Sequence, residues 1–331
     1  MSILTKEMIN KLSGPIVVFG AGGFIGINLL NTLLKYRDDV IGVSQDHKNN
    51  WRFIANQIPL KNLVSLDILQ QTPLRYFFES YRPKTILNLA AYGAYSKQKE
   101  YDKIYQTNFL ATIDLIEIAK EYGFECFLQA GSSSEYGLNS AAPKETDALI
   151  PNSHYAVSKS AVYQAINYYG RIEKLPISHL RLYSAYGPWE EPDRLIPVLI
   201  SNARKGKLPP LVAAEISRDF IYIADVVEAF LLAAIHIKQI EGMALNIGTG
   251  LKTTIHDLVQ TTKKTFQIDA QPKYGQMPNR RWDLKDWYCN PSKAKELIDF
   301  EAKTTLEEGL LKIGNWQEEI GFDNAFWNRI S

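Results

Sequence analysis

The sequence predicts an α/β protein built on a doubly wound parallel sheet, and two observations carry the prediction. Short apolar segments of strand character alternate with longer segments of helical period, the pattern of a parallel sheet covered by helices on both faces. The first short segment, Ile16-Val17-Val18-Phe19, breaks into Gly20-Ala21-Gly22-Gly23-Phe24-Ile25-Gly26 and resumes as a helix. Glycines three apart at a strand-to-helix turn have separate tasks. Gly20 permits the tight exit from the strand and Gly23 lets backbone approach a pyrophosphate. Gly26 lets the new helix pack closely on the sheet while its first N–H groups face the phosphates. The turn is a dinucleotide cradle, and the sheet behind it is of the Rossmann kind.

The other elements follow in chain order. The helix that leaves the turn, 26–35, is rich in leucine and isoleucine, and residues 40–43 and 63–66 are short apolar runs that make the second and third strands. Leu74, Phe77, Phe78 and Tyr81 recur at three- and four-residue spacing, which predicts a helix over 74–81. Residues 85–89, 126–129 and 177–182 are again short apolar runs and read as strands, with helices over 107–122 and 155–172 between and before them. After Gly187-Pro188 the composition changes to segments punctuated by proline and charge, notably Arg204-Lys205-Gly206-Lys207-Leu208-Pro209-Pro210, before a further strand and helix around 220–235. Repeats and low-complexity tracts are absent, and no clean linker marks a boundary.

Composition is that of an ordinary globular protein: 331 residues, 46% hydrophobic and 22% charged, enough for one large domain or two intimate ones. A net charge of +1 gives no reason to expect nucleic acid or an anionic membrane as partner, so the partner is expected to be small. Cys126 and Cys289 form no disulfide framework, which points to a reducing compartment. The N-terminal residues lack a basic region followed by an apolar core, no apolar stretch has the length of a membrane span, and a cytoplasmic location is expected.

Tyr155-Ala156-Val157-Ser158-Lys159 places a phenol and an ammonium four residues apart, on one face of a helix. A nearby ammonium favours phenolate over phenol, so Lys159 is expected to depress the Tyr155 pKa and let it exchange a proton with a substrate hydroxyl. Such pairs also arise by chance, and an interfacial tyrosine beside a solvated lysine is the competing account.

With these residues in place the chain resembles the extended short-chain dehydrogenase/reductases, in the nucleotide-sugar epimerase, dehydratase and reductase branch. The resemblance runs almost end to end. It rests on the glycine turn, on Leu87-Asn88-Leu89-Ala90-Ala91, on Asn108 at the head of a helix, on Gly131-Ser132-Ser133-Ser134-Glu135-Tyr136-Gly137, and on Tyr155 with Lys159. It continues through Arg181-Leu182-Tyr183-Ser184-Ala185-Tyr186-Gly187-Pro188, Arg218-Asp219-Phe220-Ile221-Tyr222-Ile223-Ala224-Asp225-Val226, and Asn246-Ile247-Gly248-Thr249-Gly250. The resemblance implies a dinucleotide-binding domain over 1–187 and 218–250, and a smaller, discontinuous C-terminal substrate domain over 188–217 and 251–331.

It also implies site residues. Gly20, Gly23, Phe24, Ile25 and Gly26 would hold the cofactor, together with Ser44, Arg52, Asp67, Ile68, Leu89, Ala90, Ala91, Tyr155, Lys159 and Tyr183. NAD users of this fold carry an acid at the end of the second strand, where it binds the ribose hydroxyls. Here Ser44 and Gln45 occupy that place and Asp46 comes late, while Lys48 and Arg52 could meet a 2′-phosphate or merely form a basic loop. The balance favours NADP(H) over NAD(H), with NAD open.

For the chemistry the resemblance implies Ser132, Tyr155 and Lys159, with Asn108 either supporting a water relay or capping a helix. The hydroxyl of Ser132 would hold a sugar C4 hydroxyl whose proton goes to Tyr155. Ser134 reads as a cap for nearby backbone; Ser132 does not. Dehydratases of this branch carry an acid directly after that serine, where this chain has Ser133 and Ser134. Only a one-residue gap would bring Glu135 there; without it Glu135 is expected to point away from the nicotinamide and to be expendable. Tyr92, Tyr95, Ser96, Ser133, Ser134, Ser184, Arg218 and Arg280 would contact a nucleoside-diphosphate sugar, with the two arginines on the diphosphate. The combination, with Asn50-Trp51-Arg52-Phe53, looks like proteins near the CDP-abequose and CDP-paratose synthases, which reduce 4-keto sugars. An NAD-dependent 4-epimerase is the second reading, and a 4,6-dehydratase or a non-catalytic NAD(P) sensor stands further off. No metal is called for, and a homodimer through the helices at 107–122 and 155–172 is expected.

Overall fold

The structure, a computed structural model, describes residues 3–95, 97–278 and 283–321. Its strands are β1 (Ile16–Phe19), β2 (Val40–Ser44), β3 (Leu63–Ser65), β4 (Thr85–Asn88), β5 (Cys126–Ser132), β6 (Ile177–Leu182), β7 (Ser184–Tyr186), β8 (Ser217–Arg218), β9 (Phe220–Tyr222), β10 (Ala244–Ile247) and β11 (Thr253–Thr254). Seven of them form one sheet in the order β10-β6-β5-β4-β1-β2-β3, with every neighbouring pair parallel. Two small pairs lie outside it, β7 with β9 and β8 with β11. The chain runs outward from β1 to β3, then returns to the other side of β1 and continues from β4. The C-terminal ends of β1 and β4 therefore flank the switch point, where a doubly wound sheet leaves a crevice for a ligand.

The helices are α1 (Ile3–Asn10), α2 (Phe24–Leu34), α3 (Trp51–Ala55), α4 (Gln71–Tyr81), α5 (Tyr101–Tyr105), α6 (Ala111–Tyr122), α7 (His154–Arg171), α8 (Leu195–Ala203), α9 (Ile223–Ile235), α10 (Ile255–Phe266), α11 (Ser292–Ile298) and α12 (Leu306–Glu319). Because β1 alternates about the sheet, its residues feed two cores. Ile16 and Val18 pack with Ile27 and Leu30 of α2 and Val226 and Phe230 of α9. Val17 and Phe19 pack with Phe77 and Phe78 of α4, Leu115 of α6 and Val162 of α7. This is the doubly wound fold that the alternation predicts, with both faces of the sheet dry. Beyond Gly187, α8, α10 and α12 pack on one another as a separate helical group.

Three boundaries differ from expectation for physical reasons. β5 continues to Ser132 because its pairing with β6 continues to Ser132 opposite Leu182. α4 begins at Gln71, with Pro73 in a first turn that needs no N–H from it. The helix expected at 107–122 begins at Tyr101 and contains a π-turn, Gln106–Leu110, so Asn108 sits within a helical run and not at its head. Among the described residues no helix is long and apolar enough to cross a membrane.

Phe78 is 1% exposed and meets Phe19, Phe77 and Tyr122 ring to ring, at centroid distances of 6.3, 5.8 and 6.1 Å. Phe78→Ala should lower the unfolding free energy by about 3–5 kcal/mol in a denaturant titration; a loss under about 1 kcal/mol would show that this face of the sheet is not the well-packed core described.

Candidate active site

The glycine turn has the form of a phosphate cradle. Gly20 has φ +74°, and Gly23 ends the turn as the N-cap of α2, with no side chain capping the helix. A Cβ on Gly26 would lie 2.2 Å from the Gly20 carbonyl oxygen, and one on Gly20 would lie 2.7 Å from the Ala90 nitrogen. The turn is thus pressed between α2 and the end of β4, and only bare backbone fits there. An uncapped helix N-terminus facing a side-chain-free turn suits the pyrophosphate of a dinucleotide. Leu89, Ala90 and Ala91 follow β4 beside it, half-buried to exposed, and Ser44 ends β2 next to Gly22. Asp67 accepts the Leu69 N–H, and Ile68 is buried in the core.

Arg52 corrects an expectation. Its guanidinium is 3% exposed and donates to the carbonyls of Trp189 (2.7 Å) and Gly22 (3.2 Å) and to Glu191 (3.0 Å). These contacts make it a brace between the glycine turn and the segment after Pro188, and a 2′-phosphate would have to compete with them. Asn50 also donates to the Gly22 carbonyl, and Asn28 to that of Pro188. The late acid Asp46 turns its carboxylate on its own loop, accepting from the Lys48 and Asn49 N–H groups.

The end of β5 meets α7 at the expected hydroxyl, phenol and ammonium. The Ser132 hydroxyl stands near enough to the Tyr155 phenol to act on its titration, and the Lys159 ammonium donates to the Ala130 carbonyl at 2.9 Å. Burial pushes the phenol up to about 12, the Glu135 charge adds to that, and the Ser132 hydroxyl opposes it. Burial pushes Lys159 down to about 8, with Glu135 opposing. The expected depression of the phenol by Lys159 is therefore not found. The ammonium, 2% exposed, is itself desolvated and held on Ala130, 5.8 Å from the Tyr155 ring centroid.

The serine run also differs from its reading. Ser132 is the backbone cap, its hydroxyl accepting from the Ser134 N–H at 3.2 Å, while the Ser134 hydroxyl donates to Ser132 at 2.8 Å. Ser133 is buried and accepts from the Trp287 indole at 2.9 Å. Asn108 caps no helix. Its oxygen accepts from the Tyr92 N–H (2.7 Å), and its amide donates to the Tyr92 carbonyl (2.8 Å) and the Ser158 hydroxyl (2.9 Å). With both amide hydrogens engaged it clamps the Tyr92 loop to α7, leaving no donor for a water relay.

Among residues expected at the sugar nucleotide, Tyr95 is half-buried with the Arg194 guanidinium 5.6 Å from its ring centroid. The Tyr92 phenol donates to Glu100. Ser184 lies in β7, half-buried, and Tyr183 is buried with its hydroxyl lacking a hydrogen-bond partner among the described residues. Arg218 pairs with Asp283 at 2.5 Å and lies over the Trp287 ring, so a diphosphate there would have to share it. Ser96 and Arg280 lie outside the described residues.

Two buried acids have surroundings that the sequence did not reveal. Glu135, fully buried, accepts from Ser132 N–H, His179 Nε2 and Arg181 Nε, each at 2.8 Å. Burial would raise its carboxyl, but those contacts outweigh it and hold the group below the usual carboxylate range. Glu190, 7% exposed, has one oxygen without a partner among the described residues and the other 3.7 Å from Arg194; burial pushes it up to about 8. Nothing in the sequence signals either, since their partners are remote or their burial depends on tertiary packing.

A family model described as the NAD dependent epimerase/dehydratase family matches residues 16–248. UDP-glucuronate 4-epimerase of Thermodesulfobacterium geofontis is 27% identical over 322 residues, spanning 92% of this chain and 97% of its own. The UDP-glucose 4-epimerase structure from Thermotoga maritima, with UDP-glucose, superposes with a TM-score of 0.82 at 26% identity and covers 92% of this chain and 98% of that one. The UDP-glucuronic acid 4-epimerase of Bacillus cereus, in complex with UDP-glucuronic acid and NAD, does so with a TM-score of 0.80 at 25% identity, covering 92% and 99%.

The Arg52 contacts make a prediction. Arg52→Ala should destabilise the protein by about 2 kcal/mol or more and weaken NAD and NADP binding by similar factors. Selective loss of NADP affinity in a fluorescence titration would restore the phosphate role.

Proposed function

The chain belongs to the NAD dependent epimerase/dehydratase family, and from that membership we propose that it is a nucleotide-sugar 4-epimerase, oxidising and re-reducing the hexose C4 with NAD. It is an enzyme of the extended short-chain dehydrogenase/reductase type. The observation that carries the epimerase reading is the juxtaposition of Ser132 at the end of β5 with Tyr155 and Lys159 on successive turns of α7, Lys159 being bonded to Ala130 of the same strand. The named relatives are 4-epimerases, which supports this reading over the ketoreductase placed first from the sequence. Reduction of a 4-keto sugar, as in the CDP-abequose and CDP-paratose synthases, uses the same residues in one direction and stays second, supported by the sequence resemblance of the serine run, the loop from Tyr92 and Asn50-Trp51-Arg52-Phe53.

NAD is the proposed cofactor, since a relative holds it and the one arginine read as a phosphate receptor is engaged elsewhere. When bound, it supplies the acceptor and donor for the C4 hydride. Ser132 orients the C4 hydroxyl and Tyr155 takes its proton, returning it when the keto group is reduced. Lys159 holds the strand end through the Ala130 carbonyl. Ser133 and Ser134 are committed to Trp287 and Ser132, and Glu135 is sealed beneath β5, so the residues after Ser132 offer no acid for eliminating water. We take the sugar nucleotide to lie between the sheet ends and the helical group after Gly187, which serves as the substrate domain. A homodimer through the exposed apolar residues Leu110, Val157 and Tyr168 fits the same reading, and light scattering should give twice the chain mass.

The experiment is to incubate the protein and NAD with UDP-glucose and with UDP-glucuronic acid and read the products by NMR and mass spectrometry. The C4 epimer should appear without loss of water, and Tyr155→Phe should slow its formation by about 10²- to 10⁴-fold. A dehydrated product would establish a dehydratase, and a requirement for NADPH with a 4-keto substrate would establish the reductase.

A further inference from the structure

Glu135 is the buried charge that the proposed mechanism leaves unused. It lies directly beneath the reacting hydroxyls, in a cluster closed by Arg181 and His179 of β6, each of them unexposed. A Cβ on Gly131 would stand 2.1 Å from His179 Nε2 and 2.7 Å from Glu135 Oε1, so the strand carries no side chain where the acid passes under it. The Tyr136 hydroxyl accepts from Arg181, and the Tyr136 and Tyr163 rings lie 4.7 and 4.5 Å from its guanidinium carbon. His179, held neutral by burial, adds no charge of its own. The carboxylate and guanidinium thus form a pair shut off from solvent, in which each charge acts at low dielectric.

That pair touches the site through the strand. Lys159 grips the Ala130 carbonyl, Glu135 grips the Ser132 N–H two residues on, and the Tyr155 phenol stands by the Ser132 side chain. We propose that Glu135 is a positioning residue, whose buried carboxylate anchors the Ser132 end of β5 and sets the electrostatic balance at Lys159 and Tyr155. The proposal rests on the assignment of those two groups as the proton-handling pair, and it replaces the expectation that Glu135 is expendable. Tyr155 also faces the Arg194 guanidinium, which favours its phenolate, and the Tyr95 phenol, which opposes it only once ionised, while Glu135 is the charged group that bears on Lys159. An anion there makes both protons harder to remove. Its removal should therefore move both titrations toward acid.

The test compares Glu135→Gln, which removes the charge, with Glu135→Asp, which keeps it but shortens the reach to Ser132. Two readouts are used: the pH profile of kcat/KM for C4 epimerisation of UDP-glucose or UDP-glucuronic acid, and competitive acetylation of Lys159 against pH, read by mass spectrometry without substrate. Glu135→Gln should move the Lys159 midpoint and the activity profile toward acid by about one pH unit or more. Glu135→Asp should keep the native midpoint while lowering kcat. Glu135→Gln leaves Arg181 unpaired, so Glu135→Gln with Arg181→Met is made alongside, a pair with no lone buried charge; its Lys159 midpoint should move the same way. An unmoved Lys159 midpoint in a folded charge-removing variant overturns the proposal. Native protein that shows the Lys159 shift on mutation but epimerises neither sugar would retain the positioning role and refute the epimerase reading.

Discussion

The end of β5 is held from two directions, and the candidate chemistry depends on that hold. From α7 comes the Lys159 ammonium on the Ala130 carbonyl; from below the sheet comes the Glu135 carboxylate on the Ser132 N–H. Both bonds are charge-assisted and buried, which makes them stronger and more directional than a pair in water. Between them the backbone from Ala130 to Ser132 has little freedom, and the Ser132 hydroxyl is presented to Tyr155 at a fixed height. A serine on a free loop would have to be ordered during each encounter with substrate, at a cost in rate that a fixed geometry avoids.

The cofactor side is fixed by backbone and not by side chains. The turn at Gly20 to Gly26 lies against the ends of β1 and β4, and Arg52 and Asn50 brace it from outside through the Gly22 carbonyl. Because Arg52 bonds both the Gly22 carbonyl and the segment at Trp189 and Glu191, the cradle and the chain entering the second helical group share one brace. A shift of either is felt by the other.

Much of this was legible in the residues taken alone. Alternating apolar segments and a glycine turn are local signals, and they located six strands of the main sheet and the crevice where a ligand would lie. Tyr155 and Lys159 were legible for the same reason, since their spacing on one helix brings them together. The functions of Arg52, Asn108 and Glu135 were not. Arg52 looked like a basic residue near a phosphate because its partner carbonyl at Trp189 is 137 residues away. Asn108 read as a cap or as support for a water relay because a π-turn has no sequence signature, and Glu135 looked expendable because His179 and Arg181 stand 44 and 46 residues further on. Charge states were less legible still: burial decides whether a phenol or an ammonium keeps its proton, and burial belongs to the assembled fold.

Trp287 donating to Ser133 across 154 residues has a consequence for how the protein is made. The same late stretch sends Asp283 to Arg218, the Cys289 N–H to Asp219 and the Asn290 carbonyl to Asn246. A chain emerging from the ribosome can close all seven strands of the sheet, β1 to β10, with α9 covering one face, before any of these contacts exist. The serine beside the reacting hydroxyl then still lacks its indole partner, and the wall of the cleft is missing. Synthesis therefore yields a well-formed sheet first and a competent site last, and loop closure over these long separations is the slow step expected of the final docking.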